Sequence, residues 1–87
     1  MNPNKKREAA LAEMNKAAKH YRNGNIEQAM KCLQKAIDKD PKLANAWYNM
    51  GVCYNDKKDY DKAIACYQKA IDLKPNYAVA WNNMGFT

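Results

Sequence analysis

Apolar and small residues recur at intervals of three and four along most of this chain, which is the spacing of one face of an α-helix. The clearest stripe comprises Ala46, Trp47, Met50, Gly51 and Tyr54. No segment alternates steadily between apolar and polar residues, so the pattern predicts an all-α protein without strands. The predicted helices span about residues 4–22, 26–39, 42–56, 60–73 and 76–87.

Polar residues and prolines mark the expected helix ends. Asn25 followed by Gln28 resembles a capping box, and Asp59 is predicted to cap the fourth helix with its side chain. Pro41 and Pro75 each follow a predicted helix, where proline stops one helix and suits the start of the next.

The chain contains an internal repeat, since residues 10–43 align with residues 44–77. We call this offset of 34 residues one repeat length. The two segments are identical at 11 of 34 positions, and residues 78–87 match residues 44–53 at six of ten. Each full unit contains two helices, so the predicted fold class is a helical-hairpin repeat solenoid. The predicted organisation is a basic extension of the first helix at 1–9, a first repeat at 10–43, a second at 44–77 and the first helix of a third at 78–87.

The net charge of +6 is uneven, with +4 in residues 1–24 and +2 in residues 25–87. The cluster Lys5-Lys6-Arg7 is not interleaved with aromatic residues, so we interpret it as a solvated helix start, with an acidic partner as the alternative, and expect no nucleic-acid partner. No apolar run reaches the roughly 20 residues of a membrane span, so no membrane partner is expected. The first twenty residues lack a secretory apolar core, which predicts an intracellular, cytoplasmic protein.

The residues that carry out catalysis or bind metals are scarce. His20 is the one histidine, there is no serine, and Cys32, Cys53 and Cys66 form no C-x-x-C pair. We therefore predict no enzyme activity, no catalytic residue, no metal site and no cofactor. The cysteines are interpreted as small buried apolar residues in a reducing compartment.

The spacing and size of the repeated residues resemble those of the tetratricopeptide repeat family, whose repeating pattern is W-x2-L-G-x2-Y, then A-x3-F, then P. The second unit shows this pattern as Trp47-x2-Met50-Gly51-x2-Tyr54, Ala63-x3-Tyr67 and Pro75, and the third begins it with Trp81-x2-Met84-Gly85. The first unit departs from it at Glu13, Lys16 and His20, as expected for a polar first helix at the N-terminal end of an array.

The resemblance implies a right-handed superhelix whose first helices line a concave groove that binds a peptide or helix of a partner protein. The expected peptide-binding residues are Asn15, Arg22, Asn45, Tyr48, Asn49, Val52, Asn82, Asn83 and Phe86. This set is rich in amides and poor in charge, which suits neutral hydrogen bonding with apolar contact. Asn15, Asn49 and Asn83 of this set are spaced by one repeat length. They are either a ladder that binds peptide backbone or inherited consensus residues.

A chaperone-binding subgroup of the family grips a C-terminal carboxylate with four basic residues and one asparagine. The corresponding positions here are Met14, Ala18, Asn49, Val79 and Asn83. Only Asn49 matches, so that carboxylate clamp is not expected in this chain.

The last segment predicts an alternative function, because the sequence ends after the first helix of the third unit. Part of this helix is expected to pack on Tyr67 and Ile71, and the remainder to stay exposed as an association site. The chain is then either a fragment of a longer array or a self-associating structural piece that forms a homo-oligomer. The expected self-association residues are Val79, Trp81, Met84 and Phe86.

Overall fold

The structure, a computed structural model, describes the backbone of residues 3–86 and the side chains of residues 4–85. Over that range the helices are α1 (Pro3–Arg22), α2 (Ile26–Lys39), α3 (Ala44–Asp56), α4 (Tyr60–Leu73) and α5 (Ala78–Phe86), and there is no strand. The all-α repeat fold is confirmed. The helix ends differ from the predicted ones by at most two residues.

The chain divides into two compact units, Met1–Leu43 and Ala44–Thr87. In the first unit α1 packs against α2 to form a helical hairpin. Its buried core combines small residues with larger aliphatic ones, among them Ala10, Ala17, Ala29, Leu33 and Ile37. Small side chains at a helix crossing let the two axes approach closely.

In the second unit α4 packs against both α3 and α5. A Cβ atom built on Gly51 of α3 would lie 2.6 Å from Cε1 of Tyr67 on α4, which is closer than real Cβ atoms come. Gly51 therefore lies at a tight crossing of α3 and α4, and the group that requires glycine there is the fully buried Tyr67 ring. Glycine leaves the volume that this ring fills.

The last helix is held to the second unit by one of its faces. Ala80 is fully buried and forms a core cluster with Ala44, Ala70 and Ile71. Met84 packs against this cluster as a partly buried side chain. The predicted packing of α5 on Ile71 is thus confirmed for the face that carries Ala80 and Met84.

The repeat also holds in the fine structure, since α2 and α4 begin and end at positions that correspond after a shift of one repeat length. Gln34 donates a hydrogen bond from Nε2 to Oδ1 of Asp38 at 3.0 Å, and Gln68 donates the same bond to Asp72 at 2.9 Å. The members of each pair are four positions apart on one helix surface, a spacing that supports the exposed side of a helix.

The side-chain caps predicted for α2 and α4 are wrong. Asn25 and Asp59 do occupy the N-cap positions, and their backbone carbonyls accept hydrogen bonds from the amides of Ala29 and Ala63 at 3.0 Å. Neither side chain makes a capping hydrogen bond. The ψ angles of 70° and 75° lie outside the extended region in which a cap points its oxygen at the first amides of the helix.

The turn before each second helix contains one residue with a positive φ angle. In the first unit it is Gly24, with φ of +80°, and in the second it is Lys58, with φ of +64°. The two positions correspond in the repeat, so the turn is the same and only the residue differs. A side chain in the left-handed region costs free energy that glycine avoids.

Candidate functional site

Four of the predicted binding residues share one face of α3, at spacings of three, four and seven residues. We call Asn45, Tyr48, Asn49 and Val52 the α3 face. Asn45 is exposed, and the other three are half-buried. A surface that combines carboxamides, a phenol and a branched apolar side chain offers hydrogen-bond donors, acceptors and apolar contact without a formal charge.

Tyr48 is the member of the α3 face that packs against other aromatic rings. Its ring centroid lies 5.7 Å from that of Tyr67 and 5.3 Å from that of Tyr77, with interplanar angles of 38° and 42°. Tilted aromatic pairs at these distances are favourable. The three rings therefore fix the orientation in which Tyr48 meets solvent.

Asn83 of α5 completes this arrangement. Its Nδ2 atom donates a hydrogen bond to the Tyr48 hydroxyl at 2.8 Å, in a part-buried setting. The asparagine that follows Asn49 in the predicted ladder thus binds a residue of the α3 face, and one of the two protons on its Nδ2 atom is used inside the protein. A hydrogen bond that links two helices through half-buried groups contributes about 0.5–1.5 kcal/mol of stability.

The three ladder positions consequently differ in environment. Asn15 on α1 is exposed, Asn49 is half-buried, and Asn83 is half-buried and bonded to Tyr48. The shared spacing does not give the three side chains the same surroundings. Arg22, the other predicted binding residue of α1, is exposed close to Tyr21, which is itself 37% exposed.

The remaining predicted residues lie on α5. Asn82 is exposed, Val79 is 48% exposed and Trp81 is 49% exposed, whereas Met84 is half-buried on the core cluster. The prediction that part of this helix stays uncovered is therefore confirmed for Val79 and Trp81. Phe86 lies outside the side chains that the structure describes.

One contributor to the α3 face was not identified from the sequence. Tyr77 precedes α5, and its ring packs on Tyr48 while Nζ of Lys74 lies 4.9 Å from its centroid. The position one repeat length earlier is the buried Leu43. The recurrence of a large apolar residue just before each first helix is the signal that could have revealed it.

Burial raises the pKa of several groups around the site. It raises the pKa of the Tyr67 hydroxyl. Burial also raises the pKa of Tyr77. The thiols of Cys53 and Cys66 are both free, and burial raises the pKa of each to about 11. These thiols stay protonated at neutral pH, which makes them poor nucleophiles and poor metal ligands.

Among residues with described side chains, no group of three or more His, Cys, Asp or Glu is arranged to hold a metal ion. None of the helices that the structure describes is both long enough and apolar enough to cross a bilayer.

Comparison with protein families gives two matches. The tetratricopeptide repeat model matches residues 44–77, and a second model of the same repeat matches residues 17–55. The two matches together extend over residues 17–77. No curated protein sequence matches the chain significantly.

Solved structures give close matches in fold. The crystal structure of MamA is 29% identical, with a TM-score of 0.87 over 90% of this chain and 46% of that one. The first TPR domain of Spaghetti (RPAP3), bound to the HSP90 peptide SRMEEVD, is 25% identical, with a TM-score of 0.89 over 91% of this chain and 63% of that one. The second TPR domain of Spaghetti, bound to the same peptide, is 24% identical, with a TM-score of 0.92 over 97% and 77%. This chain spans about half the length of MamA.

Proposed function

The chain belongs to the tetratricopeptide repeat family, and on that premise we propose that it is a protein-interaction module without catalytic activity of its own. Its ligand is a peptide or helix of a partner protein, bound on the α3 face and the adjoining exposed residues of α5. It requires no cofactor. The three free thiols fit a reducing, intracellular location.

The observation that carries this proposal is the bound peptide in two structures of the same fold. Both TPR domains of Spaghetti hold the HSP90 peptide SRMEEVD, and the first of them is 25% identical to this chain. The HSP90 peptide is a ligand of the two Spaghetti domains. Its binding there supports the use of this helical framework as a peptide-binding surface.

The chemistry of the surface indicates a different kind of peptide for this chain. The α3 face carries no charged side chain, and Asn82 on α5 adds another exposed carboxamide. A carboxamide can donate to a peptide carbonyl and accept from a peptide amide. We therefore assign Asn45, Asn49 and Asn82 to backbone contact, and Tyr48 and Val52 to apolar contact.

Asn83 has a positioning role in this proposal. Because its amide donates to the Tyr48 hydroxyl, it holds the Tyr48 ring in place for the ligand. Phe86 and the α1 residues Asn15 and Arg22 stay predicted contacts, and the exposure of the latter two leaves them accessible.

The basic residues that would hold a peptide carboxylate are missing. Met14, Ala18 and Val79 occupy three of the positions at which a carboxylate clamp would place basic residues. We therefore expect the ligand to be recognised along its length and not by a terminal carboxylate.

The test begins with a peptide array probed with the full chain, followed by affinity measurements on the best ligand. Asn45→Ala and Asn49→Ala together should weaken binding at least tenfold, since two backbone contacts are lost, and should leave the melting temperature within about 2 °C. Asn76→Ala is the matched control, because Asn76 is an exposed asparagine in the loop before α5. Equal affinity in the double variant and the control would refute the site.

Asn83→Ala separates positioning from contact. It should lower both the melting temperature and the affinity, because it removes the hydrogen bond that orients Tyr48. A loss of affinity without any loss of stability would instead make Asn83 a direct contact.

A second function is favoured by the exposure of Val79 and Trp81, which are close to half exposed on a short helix. Two copies of the chain could bury these side chains against each other, and each large apolar side chain so buried contributes roughly 1.5–3 kcal/mol. Light scattering over a dilution series tests this. A single monomeric mass at all concentrations would exclude self-association.

A further inference from the structure

The turn that follows α1 contains the one Asn-Gly pair of the sequence, Asn23-Gly24. Both residues are exposed to solvent. Gly24 has a φ angle of +80°, and nothing lies within 4 Å of a Cβ atom built on it. The side of Gly24 on which other residues carry a side chain is therefore open, and its backbone can approach another group closely.

Two hydrogen bonds close this turn. The amide of Gly24 donates to the Tyr21 carbonyl at 3.0 Å, and the amide of Asn25 donates to the His20 carbonyl at 2.8 Å. This pair of bonds, with glycine in the left-handed region, is the Schellman arrangement that ends many helices. The Gly24 amide is engaged while the turn is closed, so its nitrogen becomes available for a reaction only when the turn opens. Helix ends open at a lower free energy than the core does.

We propose that Asn23 is a site of spontaneous deamidation whose rate is set by the opening of this turn. Asparagine is among the thermolabile residues of proteins. The backbone nitrogen of Gly24 loses its proton to water or hydroxide and attacks Cγ of Asn23. A bond forms between these two atoms, and the bond from Cγ to Nδ2 breaks. The released nitrogen takes up a proton and leaves as ammonia, and a five-membered succinimide remains.

Water completes the reaction by opening the succinimide ring. Cleavage of the bond between the Gly24 nitrogen and Cγ gives aspartate at position 23. Cleavage of the bond between the same nitrogen and the backbone carbonyl carbon gives isoaspartate. The net change is the addition of one water and the loss of one ammonia, so water is the only co-reactant.

The residue that follows each asparagine singles out Asn23. Asn25 is also exposed, but the branched Ile26 follows it. Asn76 is exposed in the loop before α5, but Tyr77 follows it. A side chain on the following residue crowds the attacking nitrogen and restricts its backbone. Every other asparagine that the structure describes lies inside a helix, which holds the backbone in place.

The second hairpin has the same turn without the reactive pair. Lys58 is at the position of Gly24, and its amide donates to the carbonyl three residues before it at 2.9 Å. The next amide closes the turn with a second bond, also of 2.9 Å. Lys57 is at the position of Asn23. The two turns therefore share their hydrogen bonds and differ in chemistry, which provides a control within one molecule.

Deamidation changes the end of α1 in two ways. Both products replace a carboxamide by a carboxylate, which lies next to Arg22 and at the negative end of the helix dipole. Isoaspartate also routes the backbone through Cβ and Cγ, which adds one atom to the chain in the turn. The two hydrogen bonds of the closed turn fit the shorter path, so isoaspartate should lower the melting temperature. This inference does not depend on the peptide site on the α3 face.

The experiment incubates the folded full chain in mildly alkaline buffer and maps the products by mass spectrometry after digestion at acidic pH, where digestion itself causes little deamidation. We expect the deamidated fraction at Asn23 to exceed that at Asn25 and at Asn76 by about tenfold or more. Part of it should be isoaspartate, detected with an isoaspartate methyltransferase. The same chain unfolded in urea should react at Asn23 about threefold faster or more, because the turn is then always open.

Two variants test the assignment. Asn23→Gln should abolish the product while leaving the helical circular dichroism unchanged, because the longer side chain would have to close a six-membered ring. Lys57→Asn combined with Lys58→Gly builds the pair into the second turn and should create a second reactive site there, with a rate within about threefold of that at Asn23.

Three results would overturn the proposal. The first is a folded chain in which Asn23 reacts no faster than Asn25. The second is an equal rate at Asn23 in the folded and unfolded chains, since the turn would then not control the reaction. The third is a transplanted pair at positions 57 and 58 that stays intact while Asn23 reacts.

Discussion

The two helical hairpins of this protein have the same backbone plan and different interiors. The first hairpin has Ala17 on α1 and Leu33 on α2, both buried, where the second has Gly51 and Tyr67 at the corresponding positions. The larger tyrosine on α4, in place of leucine on α2, is thus matched by glycine on α3, in place of alanine on α1. The comparison shows that the repeat conserves the packed volume of each crossing and not the identity of its residues.

The aromatic residues of the second hairpin also allow a side-chain hydrogen bond that the first hairpin lacks. Its larger ring at Tyr67 packs on Tyr48, whose hydroxyl accepts the hydrogen bond from Asn83. The first hairpin has Met14 and Leu33 at the same positions, which offer neither a ring pair nor a hydroxyl. Aromatic substitution therefore gives the second unit an ordered, partly polar surface.

The largest expected effect comes from disturbing the matched volumes. Gly51→Ala should destabilise the protein by about 1–3 kcal/mol, because the new Cβ atom would overlap the buried Tyr67 ring. Combining it with Tyr67→Leu recreates the pair found in the first hairpin. The double variant should be more stable than the sum of the single effects by at least about 0.5 kcal/mol, measured by urea unfolding.

Gly85→Ala provides the matched control for Gly51→Ala. It is the same substitution at the same repeat position, in a helix and with open space beside it. Alanine favours helix over glycine by about 0.8–1.0 kcal/mol, so this variant should be neutral or stabilising. Equal losses at both glycines would show that the Tyr67 contact does not determine the requirement for glycine.

Alkaline pH should weaken the second unit through its two buried thiols. Burial raises the pKa of Cys53, with smaller contributions from Asp56 and Cys66, so that its folded value is about 11 against an ordinary 9.0. Between these values the folded thiol keeps a proton that the unfolded thiol has lost, so the free energy of unfolding falls as pH rises from about 9 to 11. Burial acts on Cys66 in the same direction.

The measurement is urea unfolding of the parent and of the Cys53→Ala, Cys66→Ala double variant at pH 7, 9 and 10.5. All other ionisable groups are the same in both proteins, so the difference between the two isolates the two buried thiols. The double variant should lose less stability with rising pH than the parent. Parallel losses in the two proteins would contradict the assigned role of thiol burial.

The smallest expected effect concerns the turns. Lys58 has a φ angle of +64° where the first hairpin has Gly24 at +80°. Lys58→Gly should raise the stability by up to about 1 kcal/mol, since glycine adopts this conformation without steric cost. Gly24→Ala places a side chain at the corresponding positive-φ position of the first hairpin and should lower the stability. Thermal melts monitored by circular dichroism would reveal both shifts, and a loss of stability in Lys58→Gly would contradict the interpretation.

Much of the fold could be predicted because its signals are local and repeated. Helix periodicity appears within a single segment, and the identities between successive repeats show that each unit has the same two helices. The tight crossing at Gly51 could be predicted as well, because a small residue at a fixed place on a helix stripe marks a close approach. The side-chain caps could not, since they depend on the ψ angles of Asn25 and Asp59, which sequence type alone does not fix.

The sequence by itself determined the number of helices, their order, the repeat and the family to which the chain belongs. It also placed Asn15, Asn49 and Asn83 at equal intervals. Only the tertiary structure decided that these asparagines differ, that Asn83 of α5 binds Tyr48 of α3, and that Trp81 is held by Pro75 while half exposed. The physical reason is that a helix forms from contacts within a turn, whereas the partner of a side chain depends on which helices pack beside it.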